Sequence, residues 1–120
     1  MAVPAAHIAL KRAYEAASPD DGLRILVDRL WPRGVSKEKA DLDDWMKDIA
    51  PSTALRKWFN HDPAKWAEFR QRYKTELAQH PEQMAKLREL AQKQKVTLIF
   101  GARDTEHNEA VVLKDVLTAT

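Results

Sequence analysis

Residues 7–14, HIALKRAY, alternate: Ile8, Leu10 and Tyr14 fall on one side of an extended chain and Lys11 on the other, the pattern of a half-exposed edge strand. Residues 23–30, LRILVDRL, carry apolar positions on both faces, which suits a central strand. The turn-rich SPDDG leaves a connector shorter than the dozen or so residues of a usual parallel crossover, so these two strands are expected to run antiparallel. Residues 95–102, KVTLIFGA, are apolar on both faces and β-branched in part, as a strand covered on each side is. A long helical tract separates this strand from the second, so that pair is expected to be parallel, joined by a right-handed crossover.

Between them the period becomes helical. Asp41 is placed to cap a helix with Leu42, Trp45, Met46 and Ile49 on one face and Asp43 and Asp44 in its first turn, ended by Pro51. Ser52 caps TALRKWF, and Asp62–Pro63 opens a longer helix whose buried stripe is Trp66, Phe69, Tyr73 and Leu77. His80–Pro81 repeats the device for Met84, Leu87, Leu90 and Ala91. RDTEHNEAVVLKDVL opens the last helix, with Asp104 or Thr105 as cap and Ala110, Leu113, Val116 and Leu117 facing the sheet. The expected fold is α/β: a small three-stranded mixed sheet with a central parallel pair, helices packed on it, in a single domain over residues 1–120.

Composition changes this picture little. The chain has 120 residues, 44% hydrophobic and 32% charged, within the range of folded globular proteins. No cysteine is present, which removes thiolate chemistry and disulfides and agrees with a reducing compartment. No leader-like stretch or membrane-length apolar run is visible, so a cytoplasmic location without membrane contact is expected. A net charge of +2 is too balanced for its total to indicate nucleic acid.

Candidate chemistry concentrates after the second and third strands. In open α/β sheets ligands lie beyond the carboxyl ends of parallel strands. Asp28 ends the second strand and Arg29, Trp31, Arg33 and Lys37 follow it, while Arg103, Asp104, Glu106 and His107 follow the third, at a helix start whose free N–H groups attract anions. Asp28 either pairs with a neighbouring arginine or backbone N–H, or acts on a ligand. Trp31 either anchors its loop to the core or stacks on a ligand. Arg33, in a Pro-Arg-Gly turn, is held towards an anion or lies in a surface ion pair. His61 sits in a loop beside Asp62, which serves as a helix cap, and its imidazole is either an acid–base group or simply hydrogen-bonded in the loop. Asp104 three residues before His107 is either a carboxylate orienting an imidazole or an ordinary capping contact.

The blocks RILVDRLWPRGVSKEKADLDDW, LRKWFNHDPAKWAEFRQRY and LIFGARDTEHNEAVVL resemble the three signature blocks of the YeaO-like branch of domain-of-unknown-function family 488, small bacterial proteins. The resemblance covers nearly the whole chain. It implies an α/β fold with Asp28, Arg29, Trp31, Arg33, His61, Asp62, Arg103, Asp104, His107 and Asn108 at motif positions, and it assigns no reaction.

Several chemistries are set aside. No GxGxxG, Walker A or GxSxG sequence occurs, so no nucleotide cofactor is expected. The histidines at 7, 61, 80 and 107 lack metal-ligand spacing, so no metal is expected. The leading expectation is a pocket for a small anionic ligand such as a phosphate or nucleotide. It would be held by Arg29, Trp31, Arg33, Lys37, His61, Arg103 and Asn108, with Asp28, Asp104 and His107 as acid–base groups. The alternative is a nucleic-acid module: residues 24–40 hold Arg24, Arg29, Arg33, Lys37 and Lys39 against Asp28 and Glu38, although four aspartates follow in residues 41–48. A protein-interaction role is the third.

Overall fold

The computed structural model describes residues 2–119. Its elements are β1 (Ile8–Arg12), β2 (Leu23–Leu26), α1 (Lys37–Ala40), β3 (Asp44–Trp45), α2 (Thr53–Phe59), α3 (Trp66–Leu77), α4 (Pro81–Lys93), β4 (Val96–Phe100) and α5 (Glu109–Thr118). The sheet has four strands in the order β1-β4-β2-β3, every pair parallel, rather than the three mixed strands expected. Ile8 aligns with Val96, and Leu23 aligns with Val96 from the other side.

The antiparallel expectation fails because β1 and β2 are not neighbours: β4 lies between them. Residues 13–22 run back along the sheet with no α-helix and one 3-10 turn at Pro19–Asp21, and an extended chain covers ~3.3 Å per residue, ample to return the length of a five-residue strand. Asp41 is a C-cap, not the N-cap expected. It ends α1 in the left-handed region, at φ 46°, while Ser36 is the N-cap of that turn, accepting from the Lys39 N–H. The stretch that reads as helical instead pairs with the free edge of β2. Asp43 N–H donates to Arg24 O at 2.8 Å, Met46 N–H donates to Leu26 O at 2.9 Å, and Arg24 N–H donates to the Asp43 carboxylate at 2.9 Å. A row of unpaired backbone groups outweighs local period here.

The pleat then divides the core. Ile8, Ile25, Val27, Val96, Leu98 and Phe100 face the side chains of α2 to α5, including Leu55, Phe59, Phe69, Tyr73, Leu77, Leu87, Leu113 and Leu117. The opposite face presents Leu26 and Ile99, which are covered by Ala13, Val35 and Ala40 together with Trp31, Leu42 and Trp45. β4 is therefore enclosed on both sides, as its apolar run requires, by helices on one and by the 31–45 segment on the other. The helix stripes of α3 and α4 follow the sequence pattern, with Tyr73 and Leu87 fully buried. No helix among the described residues is long and apolar enough to cross a membrane.

Candidate functional site

Beyond the carboxyl ends of β2 and β4 lies a pocket of about 420 Å³, lined by Asp28, Arg29 and Leu30, by Pro51, Arg56, Lys57, Phe59, Asn60 and His61, by Phe69, and by Ala102, His107, Asn108 and Glu109. That volume is in the range of small-ligand sites. Phe59, Phe69 and Pro51 are buried and form its apolar wall, whereas Arg56, Lys57, Asn60 and His61 are exposed at its mouth. Leu30 at the mouth is 59% exposed, unusual for a leucine.

Asp28 sits two residues past β2, where its carboxylate accepts the Gly101 N–H at 2.8 Å, tying the exits of β2 and β4 together. The Trp45 indole N–H fixes its backbone, donating to Asp28 O at 2.7 Å. Beside it Glu109, the first residue of α5, hydrogen-bonds the Asp28 carboxylate. Burial, then the hydrogen bond to Asp28 and the charge of that group, push the Glu109 carboxyl well above the usual range, while the Arg56 charge works weakly against them. Glu109 therefore keeps its proton over a range in which an ordinary glutamate has lost it, and it donates that proton towards Asp28.

The scaffold beneath this pair is heavily hydrogen-bonded. Arg29 donates through Nε to Pro51 O at 2.9 Å and through Nη2 to Ala50 O at 3.2 Å. Tyr73 donates its hydroxyl to Ile49 O at 2.6 Å, and burial first, then the Glu109 charge, push that hydroxyl's titration up. Ser52, the N-cap of α2, is held in turn by Glu76, whose oxygens accept from its N–H and hydroxyl at 2.8 and 2.6 Å. Arg29 thus borders the pocket with much of its hydrogen-bonding capacity directed into the 50–51 turn. Arg56 and Lys57 are different: neither forms an ion pair with a carboxylate among the described residues.

On the other wall, His107 Nδ1–H donates to Asp104 Oδ2 at 2.9 Å, and the imidazole stands edge-on to Trp66 with ring centroids 5.2 Å apart. Asp104 also accepts the Glu106 and His107 N–H groups at 2.9 and 3.0 Å, and these bonds hold its carboxyl below the usual carboxylate range, the Glu106 N–H contributing most. Asp104 is therefore a loop organiser reaching the pocket through His107, and the α5 cap expected there is Asn108 instead. Asn108 is buried, accepts the Val111 N–H at 3.1 Å and donates to Asp104 O at 2.9 Å, so both ends of its amide are used. Asn60 and His61 form a left-handed turn after α2, at φ 47° and 54°, a conformation in which Asn and His are among the better-tolerated side chains.

Besides Asp104, which touches the pocket only through His107, four residues expected at the site do not line it. Trp31 packs on the second face of the sheet, donating its indole N–H to Val35 O at 2.7 Å and meeting the Trp45 ring at 5.5 Å. Arg33 is exposed on that side, where its backbone carbonyl accepts the Tyr14 hydroxyl at 3.0 Å. Lys37 is exposed on α1, and Arg103 is exposed in the loop after β4, neither bordering the pocket. The reason is common to the first three: the 31–45 segment is used to cover the second face rather than to close over the strand ends. Among the described residues no group of three or more His, Cys, Asp or Glu side chains is placed to hold a metal ion.

Glu109, Arg56, Lys57 and Asn60 border the pocket without having been singled out by sequence reasoning. Glu109 carried a signal: it stands four and eight residues before the buried Leu113 and Leu117, so a carboxyl shares the inward face of its helix.

The family model described as "Inactive DUF488-N3 subclade" matches residues 7–120. YeaO, an uncharacterized protein of Escherichia coli (strain K12), is 49% identical over 111 residues, covering 92% of this chain and 96% of YeaO. The uncharacterized proteins Rv3073c of Mycobacterium tuberculosis (strain H37Rv) and Mb3100c of Mycobacterium bovis are each 40% identical over 110 residues, covering 92% of both chains. No solved structure matches. A match over all but the first six residues, together with relatives aligned nearly end to end, identifies this chain as a YeaO-like member of the DUF488 family.

Proposed function

We propose that the pocket at the strand ends binds a small ligand carrying an anionic group, phosphate being the best fit, and that the protein acts by binding rather than by turnover. The observation that carries this reading is the pair of cations, Arg56 and Lys57, that form no ion pair among the described residues and stand at the mouth of a pocket that also holds Arg29 and His61. Guanidinium and ammonium groups free of carboxylates, beside a concave apolar wall, favour an incoming oxyanion. Asp104 and His107 are the groups best arranged for acid–base chemistry, but the family model's own word "inactive" supports binding.

Thermal unfolding in the presence of inorganic phosphate and of mononucleotides tests the reading. A ligand at 100 times its dissociation constant stabilises a protein by about 2.7 kcal/mol, so a saturable rise in Tm is expected. The double variant Arg56→Ala/Lys57→Ala should lose that rise. A rise that persists in the double variant, or none in the native chain, overturns the proposal. Binding to oligonucleotides that weakens steeply with salt, without a mononucleotide effect, moves the function to the basic segment 24–40 instead.

A further inference from the structure

The anion-binding reading leaves the inner end of the pocket unexplained. Asp28 and Glu109 face one another there, and among the described residues neither is ion-paired to a cation within salt-bridge distance. The Asp28 carboxylate accepts the Gly101 N–H and the Glu109 proton, and a carboxylate has about four lone-pair sites, so acceptor capacity is left on Asp28 and on the outer oxygen of Glu109, both of which line the pocket. Inorganic phosphate at the mouth would leave most of a 420 Å³ space empty. A ligand with an apolar inner end would strand both polar groups.

A cationic inner group is the other candidate, and the charge of the lining opposes it. Arg29, Arg56 and Lys57 outnumber Asp28 and Glu109 even if both carboxyls are ionised. The group that suits a carboxyl pair in a positively biased pocket is a neutral donor. Hydroxyls fit best, because they are neutral donors: two adjacent hydroxyls can each donate to a carboxyl oxygen while the Glu109 proton stays on Asp28.

We infer that the ligand is a phosphorylated sugar with adjacent hydroxyls, a ribose phosphate in the simplest case, its hydroxyl pair seated on Asp28 and Glu109 and its phosphate held at the mouth by Arg56 and Lys57. Phe59, Pro51 and Ala102 give the same pocket an apolar wall. This inference rests on the anion-binding proposal and deepens it, and the two can fail separately.

The experiment is a set of titrations of the native chain with ribose 5-phosphate, 2-deoxyribose 5-phosphate and inorganic phosphate, followed by calorimetry or thermal shift. Loss of one hydroxyl that pairs with a buried carboxyl should weaken binding about tenfold, so ribose 5-phosphate is expected to bind at least that much tighter than the deoxy sugar. Asp28→Asn and Glu109→Gln, both nearly isosteric, should erase the preference while phosphate binding persists. Equal binding of all three probes overturns the sugar inference and leaves the anion proposal standing. No binding of any probe overturns both, and the comparison on the native chain decides the matter even if a variant fails to fold.

Discussion

Two clusters of charge sit on this sheet, and they are built on opposite terms. Beside the amino end of β2, Asp21 accepts from Lys11 Nζ at 2.9 Å, from the Ser18 N–H at 2.9 Å and from Arg24 Nη1 at 2.6 Å. Arg24, only 2% exposed, spends its remaining donors on Ala40 O and Asp41 O. Every charge there meets its opposite. At the carboxyl end, Asp28 faces another carboxyl, Arg56 and Lys57 face solvent, and open space lies between them. The first arrangement is a finished structural joint; the second leaves hydrogen-bonding capacity unused among the described residues.

The largest effect should come from breaking the finished joint. Asp21→Ala leaves the buried Arg24 guanidinium without its carboxylate, and an orphaned buried charge of that kind costs about 3–5 kcal/mol. Urea unfolding should show that loss, while the phosphate-induced stabilisation of whatever remains folded stays intact. Acid should act through the same residue. Burial alone would raise the Asp21 carboxyl, but the hydrogen bonds from Lys11, Ser18 and Arg24 outweigh it and hold it below the usual range. A depressed carboxyl contributes stability that is present above its unfolded-state value and lost as pH falls through the folded one. The native chain should therefore weaken in acid more than the Asp21→Ala variant does.

The open cluster should respond in the opposite sense. Glu109 is raised, so the folded state binds its proton more tightly than the unfolded chain does, and stability declines as pH climbs from the ordinary glutamate value through the folded one. Its surroundings are Asp28 after β2, Arg29 beside it, Arg56 on α2 and Tyr73 on α3, of which Asp28 opposes ionisation and Arg56 weakly favours it. Glu109→Gln keeps a donor towards Asp28 and abolishes the titration. At pH 8 the variant should match or exceed the native chain by on the order of 1 kcal/mol, a difference that vanishes at pH 4. A native stability curve that is flat above pH 5 and unchanged by the substitution would remove the proton from this pair.

How far the sequence reached follows the same division. The central strands, the α3 and α4 stripes and the edge position of β1 were legible because each depends on local period and on burial of a whole face. The 41–49 segment was not, because its helical spacing is real but its backbone is claimed by the edge of β2, a partner that no local window contains. At the site, Asp28, Arg29, His61, His107 and Asn108 were within reach as residues following strands or flanking helix starts. Arg33 and Trp31 were misplaced by the same long-range event that consumed residues 41–45, since the whole 31–45 segment folds onto the second sheet face. Glu109 was missed because a glutamate in the first turn of a helix has a sufficient local explanation in the helix dipole, which hides its inward position.

Arg33 supplies the smallest expected effect and the sharpest test of where the pocket ends. Arg33 is exposed, and its backbone carbonyl accepts the Tyr14 hydroxyl whatever side chain the residue bears. Arg33→Ala should thus change unfolding free energy by no more than about 0.5 kcal/mol, the usual scale for a surface position. It should also leave the phosphate-dependent rise in Tm unchanged, where Arg56→Ala/Lys57→Ala removes it. The two substitutions delete the same chemistry from opposite faces of the sheet, so a matching loss in Arg33→Ala would mean that positive charge anywhere on the molecule suffices. A loss confined to Arg56 and Lys57 would mean that the cavity, and not the surface field, selects the ligand.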